Sequence, residues 1–291
     1  MTLLALALVL GAGFFHATWN LLAKRASSEV SGPAFGWLCH ALPTLIFAPM
    51  AAVLLSENPH VGTLGLLFMF GSGILHAGYF LSLQKGYRVG DLSVIYPLAR
   101  GTGPLLASAA AIALFDERPG PLGVAGILLI VGGVFLLAWE PGGSSKRSAK
   151  KKWLGTAFGL LTGVLIASYT LWDKYAVSDL SLSPILYYWA SLFVGTLLLT
   201  PVALRNKEKV RAAWRAHRPE TLGVAVLSPL SYVLILVALV FSPVSQVAPA
   251  REISVLIGTL MGGRLLAEGS LRRRLVASGL MVAGIAALAV G

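Results

Sequence analysis

The chain is poor in charge. Of its 291 residues only 12% are Asp, Glu, Lys or Arg, about half the ~25% of a soluble domain. A water-soluble fold needs a polar shell, and too few residues are available to build one. Cysteine is almost absent: the single Cys39 excludes an intrachain disulfide and a cysteine-based metal cluster. Acid is scarcer than base, with 12 Asp and Glu against 23 Lys and Arg, for a formal net charge of +11. In a soluble protein that excess suggests nucleic acid, but no nucleic-acid-binding signature is present. The P-loop, H-E-x-x-H and G-x-S-x-G motifs are missing, which argues against an ATP-driven pump and against an enzyme. The five His residues are scattered over separate segments, so neither a metal site nor a cofactor is expected.

What the chain has in abundance is apolar sequence: 56% hydrophobic residues and a mean hydropathy of +0.79. A helix needs about 20 apolar residues to cross a bilayer. Ten stretches qualify, at roughly 2–23, 33–55, 62–84, 92–114, 119–139, 153–175, 183–204, 220–241, 244–266 and 273–290. The fold class expected is therefore an all-α, multi-pass membrane protein. The opening run MTLLALALVLGAGFF lacks the basic start of a signal peptide and reads as the first span. Most connections are short. The exceptions are EPGGSSKRSAKKK, after the fifth span, and RNKEKVRAAWRAHRPE, after the seventh, where a short amphipathic surface helix is possible.

The basic residues orient these spans. Loops after odd-numbered spans hold Lys24, Arg25, Lys85, Arg88, Lys146, Arg147, Lys150, Lys151, Lys152, Arg205, Lys207, Lys209, Arg211, Arg215, Arg218, Arg264, Arg272, Arg273 and Arg274. The other side holds Arg118 and Lys174, and Arg100 and Arg251 lie within spans. Cytoplasmic loops carry the excess of Lys and Arg. The odd-numbered loops are thus expected in the cytoplasm of a bacterial inner membrane, with both termini outside.

The chain also repeats itself. DLSVIYPLARGTGPLLASAAAIALFDERPG around span four resembles SPVSQVAPAREISVLIGTLMGGRLLAEGS around span nine. An offset of 151 pairs Arg100 with Arg251, Glu117 with Glu268 and Gly133 with Gly284; slightly larger offsets pair Tyr79 with Tyr232 and Trp19-Asn20 with Trp172-Asp173. The division expected is a first five-helix repeat over 1–140, a basic linker over 141–152 and a second repeat over 153–291. Five is odd, so the second copy enters the membrane from the opposite side. Inverted copies of this kind carry substrate sites near the midplane in secondary transporters.

With two five-helix repeats, GAGFFHATWNLLAK, YPLARGTGP, an acidic residue beyond each proline-bearing helix (Glu117, Glu268) and glycine-rich last helices, the sequence resembles the EamA-like branch of the drug/metabolite transporter superfamily. The resemblance implies a ten-helix secondary transporter of a small organic metabolite, working by alternating access between the repeats.

Charges inside a membrane are costly and need a reason. Arg100 and Arg251 each lie about 12 Å into their spans, counted at 1.5 Å per residue, and enter from opposite faces. Pro97 and Pro104 flank one and Pro249 the other, so helix breaks are expected there. The arginines either bind a carboxylate or phosphate or brace the bundle. Glu252 is the one carboxylate expected deep in a span, as a proton-coupling group or a counter-ion. His16, Trp19 and Asn20 share or flank one face of span one and either form an aromatic, polar wall for an organic solute or make a helix–helix hydrogen bond beside an interfacial Trp. Tyr79, Tyr232 and His76 are further candidate substrate-binding residues on the third span of each repeat. Asp173 and Lys174 are expected as surface charges near the end of span six. The Gly155, Gly159, Gly163 and Ala167 stripe on that span reads as packing within the chain.

The solute expected is amino-acid-like or otherwise anionic or zwitterionic, or an amphiphilic drug. The partners expected are that solute and the lipid bilayer, with the chain a monomer. The competing reading is an integral membrane enzyme acting on a lipid-linked substrate.

Overall fold

The structure, a computed structural model, describes residues 1–27, 32–57, 61–89, 92–138, 149–263 and 271–290. Among them there is no strand. The helices are α1 (Leu3–Ser27), α2 (Gly32–Ile46), α3 (Ala48–Glu57), α4 (Gly62–Val89), α5 (Leu92–Leu114), α6 (Pro121–Ala138), α7 (Ala149–Ser178), α8 (Pro184–Arg205), α9 (Lys207–Ala216), α10 (Arg218–Phe241), α11 (Val244–Ala250), α12 (Ile253–Gly263) and α13 (Leu271–Val290). By length and apolarity, α1, α4, α7, α8 and α10 can each cross a bilayer, and the bent pair α2–α3 makes a sixth candidate. Glu268 and most of the basic linker lie outside the described residues.

Several helices depart from straight spans, and proline chemistry accounts for them. α2 and α3 meet at 51°. Pro49 has no N–H to return to the Leu45 carbonyl, so the helical ladder is interrupted there. The ninth stretch is broken after Pro249, where Arg251 and Glu252 form a turn between α11 and α12. The missing Pro249 N–H frees the Ser245 carbonyl, which accepts instead from the Ser108 hydroxyl on α5 at 3.4 Å. The breaks expected at Pro97 and Pro104 do not occur: α5 runs through both as one helix. Each proline removes one backbone donor, and a helix packed between neighbours tolerates that loss without parting.

Contacts fix the direction of each helix. α1 and α10 run antiparallel, since the Ser231 hydroxyl meets the Ala12 carbonyl at 2.9 Å while Gly223 faces Leu22. α4 and α7 are also antiparallel, with Thr162 on Ser82 and Gly71 against Trp172. α5 and α7 run parallel, Gly159 lying against Ile95 and Leu98 and Gly163 against Thr102. The small-residue stripe of α7 is therefore an intrachain packing face. α1 and α12 run parallel too, with Gly13 on Ile253 and Gly258 near Ala17.

The outcome is two three-helix groups, α4–α5–α7 and α1–α10–α12, with α2, α8, α6 and α13 completing the bundle. α6 and α13 approach closely through glycine: a Cβ on Gly126 would sit 2.8 Å from the Gly284 carbonyl, and the converse holds. The bundle end where α1 begins is called the near end below; the other is the far end. α9 is a short amphipathic helix, with Ala213 buried, Val210 and Trp214 half-buried, and Lys207, Lys209, Arg211 and Arg215 exposed.

Candidate functional site

Polar side chains gather where the two helix groups face each other. In the far half of that seam lies a small, partly open cavity lined by His16, Asn20, Tyr79, Leu83, Ala99, Arg100 and Ile166. α1 supplies His16 and Asn20 from one group. α4 and α5 supply Tyr79 and Arg100 from the other. Asn20 is exposed and satisfies its amide on its own helix, donating to the His16 carbonyl at 2.7 Å. The His16 ring packs edge-on to Trp19 with centroids 4.9 Å apart. Trp19 itself turns from the cavity toward Phe35 and Val224.

Arg100 forms the cavity floor. It is buried, and its Nε lies 3.0 Å from Glu252 Oε2. Its Nη2 donates to Ser254 Oγ at 3.0 Å. The broken stretch makes this possible: only an interrupted helix places Glu252 and Ser254 on the seam while leaving Arg251 beside them. A guanidinium has five donors in a planar fork, and Arg100 uses it to hold a carboxylate and a hydroxyl together at the cavity floor.

On the near side of Arg100 the seam is sealed. Asp173 is fully buried and accepts three hydrogen bonds. Tyr187 Oη donates to Oδ1 at 2.7 Å, Tyr232 Oη donates to Oδ2 at 2.6 Å, and His76 Nε2 lies 3.0 Å from Oδ2. The His76 ring stacks on Tyr169 at 4.2 Å. The Arg251 Nη2 donates to Tyr169 Oη at 3.1 Å, and its guanidinium lies over the Tyr232 ring at 5.4 Å. Closer still to the near end, Lys174 Nζ donates to the Leu239 and Ser242 carbonyls at 2.6 and 3.2 Å. Glu117 accepts from the Val244 and Ser245 amides at 2.7 and 2.8 Å. A carboxylate there satisfies orphan donors at the start of α11.

Sequence reasoning brings the cavity quartet into view, because His16, Asn20, Tyr79 and Arg100 all line it. Arg251, Tyr232 and His76 lie instead in the sealed cluster. Asp173 and Lys174 are not surface charges. α7 continues to Ser178, so Asp173 lies more than a turn inside its end, and half-buried Lys174 donates to backbone carbonyls of α10 and the residue after it. The repeat carries the signal for Asp173, since its counterpart Asn20 is a polar residue within span one and shares a face with His16. Nothing in the sequence marks Tyr187.

Each half of the chain also matches known proteins. A family model described as the EamA-like transporter family fits residues 3–139 and again residues 153–290. A riboflavin transporter of Vibrio cholerae serotype O1 (strain ATCC 39315 / El Tor Inaba N16961) is 28% identical over 149 residues, which is 51% of this chain and 48% of that one. The match spans about half the length of that relative. A solved crystal structure of another protein superposes at a TM-score of 0.72, covering 97% of this chain and 95% of its own at 15% identity, a likeness of fold alone. With one family model fitting both halves of an all-helical, apolar bundle whose buried charges meet at the seam between its two helix groups, the chain belongs to the EamA-like transporter family.

Proposed function

We propose that the protein is a secondary transporter that carries a small organic anion or zwitterion across the membrane by alternating access, with ten crossings arranged as two inverted five-helix repeats over 1–140 and 153–291. The observation that carries this reading is the cavity floored by Arg100. A buried guanidinium lining a cavity and balanced by Glu252 suits a carboxylate or phosphate oxygen. Tyr79 and His16 offer ring surface to the organic part, and Asn20 offers an amide.

The inverted arrangement is supported by helix direction. α1 and α7, which correspond in the repeat, run oppositely, as do α4 and α10. The pairings α1–α10 and α4–α7 exchange under the repeat, as do α1–α12 and α5–α7. The cavity lies toward the far end, where the basic loops gather, and we place that end in the cytoplasm. The chain works as a monomer in this reading, since the small-residue stripe of α7 is consumed within the bundle.

Purified protein in proteoliposomes tests the proposal directly, with labelled amino acids, organic acids, nucleotides and riboflavin as a panel. The curated relative's name puts riboflavin in that panel. Saturable uptake or counterflow of one member, abolished by heat denaturation, is expected. Turnover of a lipid-linked phosphate compound in detergent, with no flux of any panel member, would replace transport by the enzyme reading.

A further inference from the structure

The cavity wall and the sealed cluster are the same four positions used twice. Offsets of 151 to 153 residues carry His16, Asn20, Tyr79 and Arg100 onto Tyr169, Asp173, Tyr232 and Arg251. The first four line an open cavity. The second four are closed on one another across the seam: Tyr232 of α10 donates to Asp173 of α7 at 2.6 Å, and Arg251 donates to Tyr169 of α7 at 3.1 Å. Both closed contacts join the α1–α10–α12 group to the α4–α5–α7 group, as a gate must; Arg100 also reaches across, but to Glu252 and Ser254 rather than to His16.

Resting on the alternating-access reading, we propose that the far end closes by the counterparts of these contacts, Tyr79 to Asn20 and Arg100 to His16, and that Asp173 makes the far-open state the resting one. The two gates are built to unequal strength. Asp173 presents a carboxylate where Asn20 presents an amide, and hydrogen bonds to a charged acceptor are the stronger ones. The Asp173 carboxylate is also aimed. His76 and Tyr187 hold its oxygens from α4 and α8, and the residues at their repeat positions provide neither group: Leu227, Ser228 and Pro229 for His76, and Ala34, Phe35 and Gly36 for Tyr187. Asn20 has no such support and is held to its own helix carbonyl. The near gate therefore closes on a fixed anion, while the far gate must close on a neutral amide oxygen whose orientation is set by a bond to its own helix.

Substrate is not needed to test this. Spin labels at Arg25→Cys and Lys85→Cys, on a Cys39→Ala background, report the far-end distance between the two groups by double electron–electron resonance. The parent is expected to show mainly the long, open distance. Asn20→Asp gives the far gate its own carboxylate and should raise the short-distance population about fivefold, the difference between charged and neutral hydrogen-bond acceptors. Adding Tyr79→Phe to Asn20→Asp should cancel that gain, because the hydroxyl that would close on the new carboxylate is gone. Asp173→Asn should raise the short-distance population from the other side; if it fails to fold, the exposed Asn20 site carries the test.

An Asn20→Asp protein with the parent's distribution overturns the proposal, as does a gain that survives Tyr79→Phe. A parent that already populates both distances, in proportions that neither Asn20→Asp nor Asp173→Asn moves, overturns the proposal and leaves alternating access standing. A single unmoved distance in every variant overturns both.

Discussion

Two ionic residues set the chemistry of the seam, and they act differently. Arg100 borders open space, so replacing it should change substrate handling. Arg100→Ala is expected to lower uptake of a carboxylated substrate by about 10–100-fold, the range of a lost charged hydrogen bond of ~1.5–3 kcal/mol, with Arg100→Lys recovering part of it. Concentration dependence of flux in proteoliposomes checks this. Asp173 borders no open space, and its loss should appear in stability. Asp173→Ala strands His76, Tyr187 and Tyr232 around an empty acceptor, at about 3–5 kcal/mol, and thermal unfolding in detergent should report a fall of several degrees. The contrast explains why the residues were unequally legible. Arg100 and Tyr79 stand out as polar groups in apolar spans. His76 lies three residues before Tyr79 and shares its face, but about 4.5 Å further along the axis the seam has already closed. Depth along a helix, which decides between cavity and seal, depends on where neighbouring helices cross, and no spacing rule encodes that.

At the scale of helices, the apolar stretches and the break at Pro249 were legible, while the continuity of α5 through Pro97 and Pro104 was not. Prolines occur in both central helices, yet α5 stays whole and the ninth stretch parts after Pro249. What differs lies elsewhere in the chain: Ser108 meets the carbonyl that Pro249 frees, and Arg100 draws Glu252 and the Ser254 hydroxyl onto the seam. Glu117 then fixes the start of α11. Glu117→Gln keeps an acceptor but removes the charge, and should cost about 1 kcal/mol at that helix start, seen as faster amide exchange at Val244 and Ser245. The α6–α13 contact makes a sharper prediction. Gly284→Leu would drive a side chain into the Gly126 carbonyl and Ile130. Overpacking of this kind costs about 1–3 kcal/mol, so detergent stability should fall, while Gly279→Leu, whose Cβ meets no neighbour, should leave it unchanged.

For the molecule as a whole, the basic residues and the repeat support the proposal that two copies of one bundle are threaded oppositely through the membrane, with the basic ends of both on the same side. Composition makes the membrane legible, because too few charges exist for any other shell. The repeat makes the symmetry legible through four spaced positions, although the halves differ at most others. The pairing of helix groups required coordinates, since α1 joins α10 and α4 joins α7 across the two halves. The measurement that tests this account most directly is the sidedness of the two repeat starts. Single cysteines at Thr2→Cys and Lys151→Cys, each on a Cys39→Ala background, are labelled with a membrane-impermeant maleimide in intact cells and in inverted vesicles. The account predicts that position 2 reacts from outside and position 151 from the cytoplasm. Reaction of both from the same side would contradict it.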